Sequence, residues 1–401
     1  MIVRQFLLWA RSAPPGDRAE AVSALARAYL YADLGEADRR EAETALTAML
    51  DDRSGLVRRA MAEALAGSPH APRHIVVALA CDGSEVADPV LRRSPILIDA
   101  DLVDCAALGD ARAQVAIASR RPLSTSVAGA LAEVAGPEAL AALAANLEAE
   151  IGRTSLMRMV ERHGADPDVR EALLARPDLP AAVAQAVAAT LAESLGRLAV
   201  AGGWLSPERA ERVTRDARDR TAVALSADAS ADEVVALVRY VRTTGQLTPA
   251  LILRALLSRN LTFAAAAFAD LSGVAPERVG PILLDRRGSA FRALYDRAGL
   301  PPGLRAAFEG ALAASRGSPA EEPRTGLSRT VVQRSLDACE DLAPDRAGRL
   351  LALLRRFETE AALDEARRVA GGLADQAALA IVLEHRPDAL LAPPEDYSEA
   401  A

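Results

Sequence analysis

The chain lacks lysine altogether, so its 47 positively charged side chains are all arginine. This absence excludes chemistry that needs an ammonium group, such as a Schiff base or the phosphate-binding lysine of a P-loop. The 55 acidic residues outnumber the arginines and give a formal net charge of −8. Because non-specific affinity for nucleic acid depends on clustered positive charge, the composition disfavours nucleic acid as a partner.

Aromatic residues, cysteines and long apolar runs are also scarce. Aromatics make up 3% of the chain, which leaves few rings for stacking on bases. Cys81, Cys105 and Cys339 stand far apart, without the spacing of a zinc site or a disulfide framework, and are expected to be reduced and buried. The chain has no charge-free run of 18 apolar residues, so no membrane span is predicted. We therefore expect a cytoplasmic protein.

Alanine and leucine, both strong helix formers, dominate the 51% apolar fraction and predict an all-α fold. Residues 1–16 are interpreted as an N-terminal helix. From residue 17 onward, helix-sized segments with apolar residues at helical spacing end at Gly, Pro or short acidic clusters. This pattern is typical of helical hairpins in series.

The turn residues between these helices recur at a regular spacing. Residues 51–66 read DDRSGLVRRAMAEALA, an acidic turn followed by Val-Arg and a helix, as in a HEAT repeat. Prolines then recur at Pro69, Pro95, Pro122 and Pro177, at steps of 26, 27 and 55 residues, the last close to two periods. A fixed period of this size indicates a HEAT-like α-solenoid of short helical hairpins.

The predicted organisation has six parts. HEAT-like repeats span 17–200 after the N-terminal helix, and a looser helical solenoid continues over 201–315. A Pro- and Gly-rich linker at 316–328 leads to a small C-terminal helical element at 329–387 and a disordered tail at 388–401. The element has an apolar face formed by Leu350, Leu351, Leu353, Leu354 and Phe357. It is too small to stand alone, so it should dock on the solenoid or form a homodimer through residues 329–371.

Four segments resemble a known family. EVADPVLRRSPILIDADLV at 85–103 and QVAIASRRPLS at 114–124 are similar to its first hallmark region, and LSRNLTFAAAAF at 257–268 with SGVAPERV at 272–279 is similar to its second. The family is the bacterial domain of unknown function 2336, and the resemblance covers about residues 40 to 315, without the C-terminal element. It implies a HEAT-like helical fold and carries no activity, cofactor or catalytic residue.

A row of arginines at equivalent repeat positions is the strongest candidate for a partner-binding site. Its members are Arg58, Arg59, Arg92, Arg93, Arg120, Arg121 and Arg176. If the repeats stack in register, one arginine of each set reaches a common surface that binds carboxylates or phosphates. Alternatively, the row is a structural ladder that Asp52, Asp88 and Asp110 neutralise. The sequence leaves both interpretations open.

Few residues of the sequence are arranged as catalytic chemistry requires. His70 and His74 have the spacing of a metal pair, but Pro69 and Pro72 place His70 before the helix that carries His74. Known nucleotide-binding and hydrolase motifs are missing from the sequence, and neither cofactor nor metal is expected. The alternating charges of residues 208–220 are typical of a solvated helix face.

We therefore predict a non-catalytic scaffold or regulator that binds a protein partner on a solenoid surface. Two alternatives come only from analogy with other HEAT-like proteins: nucleic-acid binding, as in alkyl-purine glycosylases, and lyase or hydrolase activity, as in bilin lyases.

Overall fold

A computed structural model describes residues 2–316, 326–340 and 344–385. The predicted tail and most of the predicted linker lie outside these residues. The described chain is helical throughout, which confirms the all-α prediction, and none of its helices is long and apolar enough to cross a bilayer. The α-helices, numbered here in chain order, are α1 (Ile2–Ala10), α2 (Pro15–Tyr31), α3 (Glu36–Ala48), α4 (Gly55–Leu65), α5 (Arg73–Ala80), α6 (Ser84–Arg93), α7 (Asp99–Leu108), α8 (Ala111–Ala118), α9 (Thr125–Val134), α10 (Pro137–Ala145), α11 (Arg153–His163), α12 (Pro167–Leu174), α13 (Ala181–Ala201), α14 (Pro207–Leu225), α15 (Ala231–Thr243), α16 (Pro249–Leu257), α17 (Leu261–Ser272), α18 (Pro276–Leu284), α19 (Ser289–Arg297), α20 (Arg305–Arg316), α21 (Arg329–Glu340) and α22 (Pro344–His385).

The chain forms two compact units, Met1–Thr214 and Arg215–Ala401. The division falls within α14, a place where the sequence analysis predicted a continuous solenoid.

In the first unit the helices stack in two layers. The even-numbered helices from α2 to α12 each pack on the next even-numbered helix, and α7, α9, α11 and α13 form a second stack. Five even-numbered helices begin at residues 55, 84, 111, 137 and 167, so each repeat spans 26 to 30 residues. This serial packing confirms the solenoid prediction, with repeats shorter than the roughly 40–47 residues of standard HEAT units.

Local sequence explains where these helices begin and which face they bury. The side chains of Asp110 and Ser124 accept hydrogen bonds from backbone N–H groups in the first turns of α8 and α9. On α4, Val57, Met61 and Leu65 are fully buried at spacings of four residues, which places them on one side of the helix. Each short helix therefore buries a narrow apolar stripe that only a neighbouring repeat can cover.

The second unit is built around α17, which packs on α15, α16, α18 and α19. Its Phe268 contacts Phe291 and Phe308 edge to face, with ring centroids 5.6 and 6.1 Å apart. Asn260 caps the helix by accepting from the Phe263 N–H while its amide donates to the Val223 carbonyl. The unit thus concentrates aromatic side chains that are rare elsewhere in the chain.

The C-terminal element docks on the rest of the second unit. Helix α21 lies so close to α20 that a Cβ atom on Gly310 would stand 2.9 Å from the Cβ of Ala338. Of the apolar face predicted on α22, Leu350, Leu354 and Phe357 are buried, whereas Leu351 and Leu353 are half-buried. A two-helix element needs such support because it cannot bury enough apolar surface alone.

Candidate functional site

The predicted arginine row contains several side chains that hold the first unit together. The guanidinium of Arg58 binds both carboxylate oxygens of Asp82 and also donates to the carbonyl of Asp52. The hydrogen bonds from Arg58 are the main cause that lowers the pKa of Asp82. Because Asp82 lies 24 residues further along the chain, the pair ties one repeat to the loop that precedes the next.

Arg120 makes an equivalent cross-link without a carboxylate. It donates to the carbonyls of Leu91 and Ser94 at 2.6 and 2.8 Å, and burial lowers its pKa. The carbonyl of Arg120 in turn accepts from the amide of Asn146 at 2.6 Å. Arg120 therefore links the end of α6 to the following repeat, and Asn146 links that repeat to the next one.

Arg176 is the most deeply buried member of the row, with 5% of its surface exposed. Its Nη1 donates to the carbonyls of Ala144 and Asn146 at 3.1 and 3.0 Å. Its Nε and Nη2 bind the carboxylate of Asp178, and these hydrogen bonds lower the pKa of Asp178. Three members of the row, Arg58, Arg120 and Arg176, thus direct most of their N–H donors to acceptors within the protein.

The other members of the row lie nearer the solvent. Arg59 pairs with Glu63 on its own helix at 2.9 Å, and Arg92 pairs with Asp88 in the same way at 3.1 Å. Arg121 lies 3.9 Å from Glu148, and Arg93 is exposed. Exposed pairs of this kind hold a side chain only weakly.

Of the three carboxylates predicted to neutralise the arginine row, Asp52, Asp88 and Asp110, only one forms a side-chain pair with a member of the row. Asp88 does pair with Arg92, whereas Asp110 caps α8. Asp52 uses its side chain to bind Arg18 with two hydrogen bonds of 2.8 Å. Sequence reasoning missed Arg18, although it occupies the fourth position of α2 just as Arg58 occupies the fourth position of α4.

A cavity of about 370 Å³ opens in the first unit. It is lined by residues of α5, α7 and α8, including the side chains of Cys81, Cys105 and Leu108. Cys81 is exposed and Cys105 partly so, which makes the expectation of buried thiols wrong for these two residues and right for Cys339. The first hallmark segment, 85–103, forms part of this wall through Leu97 and Asp101.

The second unit contains a buried network of charges. Arg254, which is 3% exposed, binds both carboxylate oxygens of Glu360 on α22 at 2.6 and 2.9 Å, and Arg220 adds a contact of 2.8 Å. Burial acts to raise the pKa of Glu360, but the hydrogen bonds and charges of both arginines hold it below its ordinary value. Arg254 also stacks on Phe357, with 4.8 Å between its central carbon and the ring centroid. These contacts tie α22 to α14 and α16.

Asp219 lies at the edge of this network. It is 7% exposed, although the charge pattern of 208–220 predicted a solvated face. Burial raises its pKa to about 6, while Arg254 acts to lower the pKa and Asp216 to raise it. Proton binding is therefore stronger in the folded state, so the stability that Asp219 contributes is complete below its unfolded pKa and is lost as pH rises through about 6.

We expect the substitution Asp219→Asn to stabilise the second unit at pH 8 by about 2–3 kcal/mol, because it removes the cost of a buried carboxylate. The gain should shrink toward zero at pH 4. Hydrogen exchange of α16 and α17 amides, with rates corrected for intrinsic pH dependence, would measure it. Asp216→Asn is the matched control because Asp216 forms a partly exposed pair with Arg356. An unchanged pH profile in Asp219→Asn would contradict the assignment.

The end of the first unit exposes an unusual number of large apolar side chains. Leu195 and Leu198 on α13, Trp204 in the following turn and Val213 on α14 are each more than half exposed, and Trp204 reaches 78%. We call these four residues the apolar hairpin. Ala210 on α14 is buried, and the hydroxyl of Thr214 donates to the carbonyl of Ala192 on α13 at 3.4 Å. Sequence periodicity missed this surface because it assigns apolar residues to the core.

The stacked helices and their arginine cross-links define an α-solenoid repeat protein. The profile of a bacterial family described as an uncharacterised protein conserved in bacteria, domain of unknown function 2336, matches residues 86–352. The chain belongs to this family, which confirms the resemblance. The match begins later than residue 40 and extends into α22, so the C-terminal element lies partly inside the family region, contrary to the expectation from sequence.

Searches of the curated proteins and of the solved structures found no match for this chain.

Proposed function

We propose that the protein is a non-catalytic, cytoplasmic scaffold or regulator that binds a protein partner through the apolar hairpin. The observation that carries this proposal is the exposure of Leu195, Leu198, Trp204 and Val213 at one end of the first unit. Exposed tryptophan and leucine side chains lose unfavourable contact with water when a partner covers them, and tryptophan is enriched among residues that dominate binding energy.

The arginine contacts support protein binding over nucleic-acid binding. Arg58, Arg120 and Arg176 direct their donors to carbonyls and carboxylates within the chain, which leaves fewer of them for phosphates. The exposed members, Arg59, Arg93 and Arg121, remain candidate contacts at the rim of a partner surface. A lyase or hydrolase has less support because the buried Arg254–Glu360 pair anchors a helix.

The C-terminal helices favour an intramolecular role over dimerisation. Leu350, Leu354 and Phe357, which would form the apolar face of a dimer through residues 329–371, are buried within the chain. A homodimer, if one forms, would then use another surface, and light scattering of the intact chain would measure its mass.

We expect the triple variant Leu195→Ser, Leu198→Ser, Trp204→Ser to lose a protein partner that the intact chain captures from a lysate of its own cells. The matched control is Tyr31→Ser, Leu56→Ser, Leu147→Ser, which removes similarly exposed apolar side chains elsewhere on the same unit. Circular dichroism would establish that both variants fold. Capture by the hairpin variant at wild-type level, or loss in both variants alike, would contradict this surface as the binding site.

A further inference from the structure

The cavity of the first unit lies where the second stack of helices is open. Helices α7, α9, α11 and α13 pack directly on one another, whereas α5 and α7 are separated by the cavity of about 370 Å³. Val77, Leu97 and Leu108 provide apolar parts of its wall. A covalent link between α5 and α7 would therefore close a gap that packing leaves.

Two cysteines line this cavity. Cys81 follows the last residue of α5, and Cys105 lies in the middle of α7. The Sγ of Cys105 lies 3.8 Å from the carbonyl oxygen of Ala80, the residue directly before Cys81. Burial, followed by the charge of and hydrogen bond with Cys81, raises the pKa of Cys105 to about 11. Both residues line the cavity, and the more exposed Cys81 is the one that a reagent reaches first.

We propose that Cys81 and Cys105 are a reversible dithiol–disulfide pair that low-molecular-weight disulfides oxidise, and that the bond between them closes the cavity between α5 and α7. Both residues line the same cavity, so once Cys81 has formed a mixed disulfide, Cys105 is the neighbouring thiol that can attack it. Cys81 precedes and Cys105 follows the hallmark segment at 85–103, so the bond would close a covalent loop that contains this segment.

The reaction is an exchange that transfers two electrons to the small disulfide. The Cys81 thiolate attacks one sulfur of R–S–S–R, which forms a mixed disulfide and releases R–S⁻. Cys105 then loses its proton to the released thiolate, and its sulfur attacks that of Cys81 and expels the second R–S⁻. The second R–S⁻ takes up the proton that Cys81 released to the solution. The products are therefore the Cys81–Cys105 disulfide and two molecules of R–SH.

The charge of the cavity wall should select among small disulfides. Asp82, Asp101, Asp104 and Asp110 line the cavity. Arg58 and Arg73 neutralise Asp82 and Asp101 from outside the lining, so Asp104 and Asp110 supply the negative charge of the wall. A cationic reagent is therefore attracted and an anionic reagent repelled, an effect that salt weakens. We expect cystamine to react faster than the neutral 2-hydroxyethyl disulfide, and dithiodiglycolate to react slowest, with about tenfold between the extremes.

The test uses the full chain and mass spectrometry without reduction. Trypsin cleaves at Arg73, Arg92, Arg93 and Arg112, so the two cysteines leave in separate peptides, 74–92 and 94–112. After treatment with cystamine, we expect these peptides to appear linked, at their summed mass less about 2 Da for the two hydrogens removed. The oxidised chain should also melt at a higher temperature than the reduced chain, because the bond restricts the unfolded state.

Two variants separate the proposal from general thiol reactivity. Cys105→Ser should keep a single adduct on Cys81, and Cys339→Ser should form the linked peptide at the wild-type rate. Rates for the three disulfides are normalised to the chain unfolded in urea, which removes differences in their intrinsic reactivity. Stable separate adducts on Cys81 and Cys105, or a linked peptide that forms no faster in the folded chain than in urea, would overturn the proposal.

Discussion

Replacement of Arg254 by methionine should destabilise the second unit by about 3–5 kcal/mol. The substitution leaves the carboxylate of Glu360, which is only 9% exposed, without its bidentate partner, and a buried charge that loses its partner is costly. Arg220 cannot replace the lost contact because its own side chain is half exposed and already engaged with the same oxygen. Native-state hydrogen exchange at α16 and α22 amides would measure the change for this unit alone.

The matched control for this prediction is Arg329→Met. It breaks an exposed pair between α21 and α22, Arg329 with Glu365, and should cost less than about 1 kcal/mol. The double variant Arg254→Met, Glu360→Leu removes both charges and should recover most of the stability, because apolar side chains can replace a buried pair. Equal effects of Arg254→Met and Arg329→Met would show that the buried pair carries no special weight.

Replacement of Arg176 by methionine should destabilise the first unit by about 2–4 kcal/mol. Arg176 satisfies the carbonyls of Ala144 and Asn146 at the end of α10, and its loss leaves these two acceptors without their donor in a buried place. Release of Asp178 should contribute little, since that carboxylate is well exposed. The measurement is urea-induced unfolding, with hydrogen exchange at α10 and α12 to locate the effect.

Arg59→Met is the control for the Arg176 prediction. Arg59 belongs to the same arginine row but pairs with Glu63 on the surface of its own helix, so its loss should cost less than about 0.5 kcal/mol. If Arg59→Met were as destabilising as Arg176→Met, the distinction between inner and outer members of the row would be wrong.

Several features of the fold could be read from the sequence because they depend on local order along the chain. The alanine and leucine content, the cap residues and the proline steps of 26 and 27 residues indicated short helical hairpins, and the repeats have that length. Leu350, Leu354 and Phe357 lie at spacings of four and three, so their common face on α22 was also predictable. Helical periodicity is a property of neighbouring residues and needs no knowledge of the fold.

The candidate site was less predictable because its residues are far apart in sequence. Glu360 meets Arg254 across 106 positions, and the charge pattern around Asp219 resembled a solvated helix. Cys81 and Cys105 lacked any motif that would have paired them. For the charged residues the deciding quantity was burial beside a distant partner, and for the cysteines it was their shared cavity. Hydrophobic pattern encodes neither.

The sequence by itself determined that this protein is a helical repeat array, because helix formation and short-period stacking follow from local composition. Its membership of the bacterial family of domain of unknown function 2336 rests instead on the match of the family profile to residues 86–352. Only the tertiary structure decided which arginines serve the scaffold. Arg58 and Arg59 are adjacent in the chain, yet one reaches Asp82 and the other faces solvent, since successive residues on a helix point about 100° apart. Stacking geometry thus makes Arg58 a cross-link between repeats and leaves Arg59 at the surface, paired with Glu63.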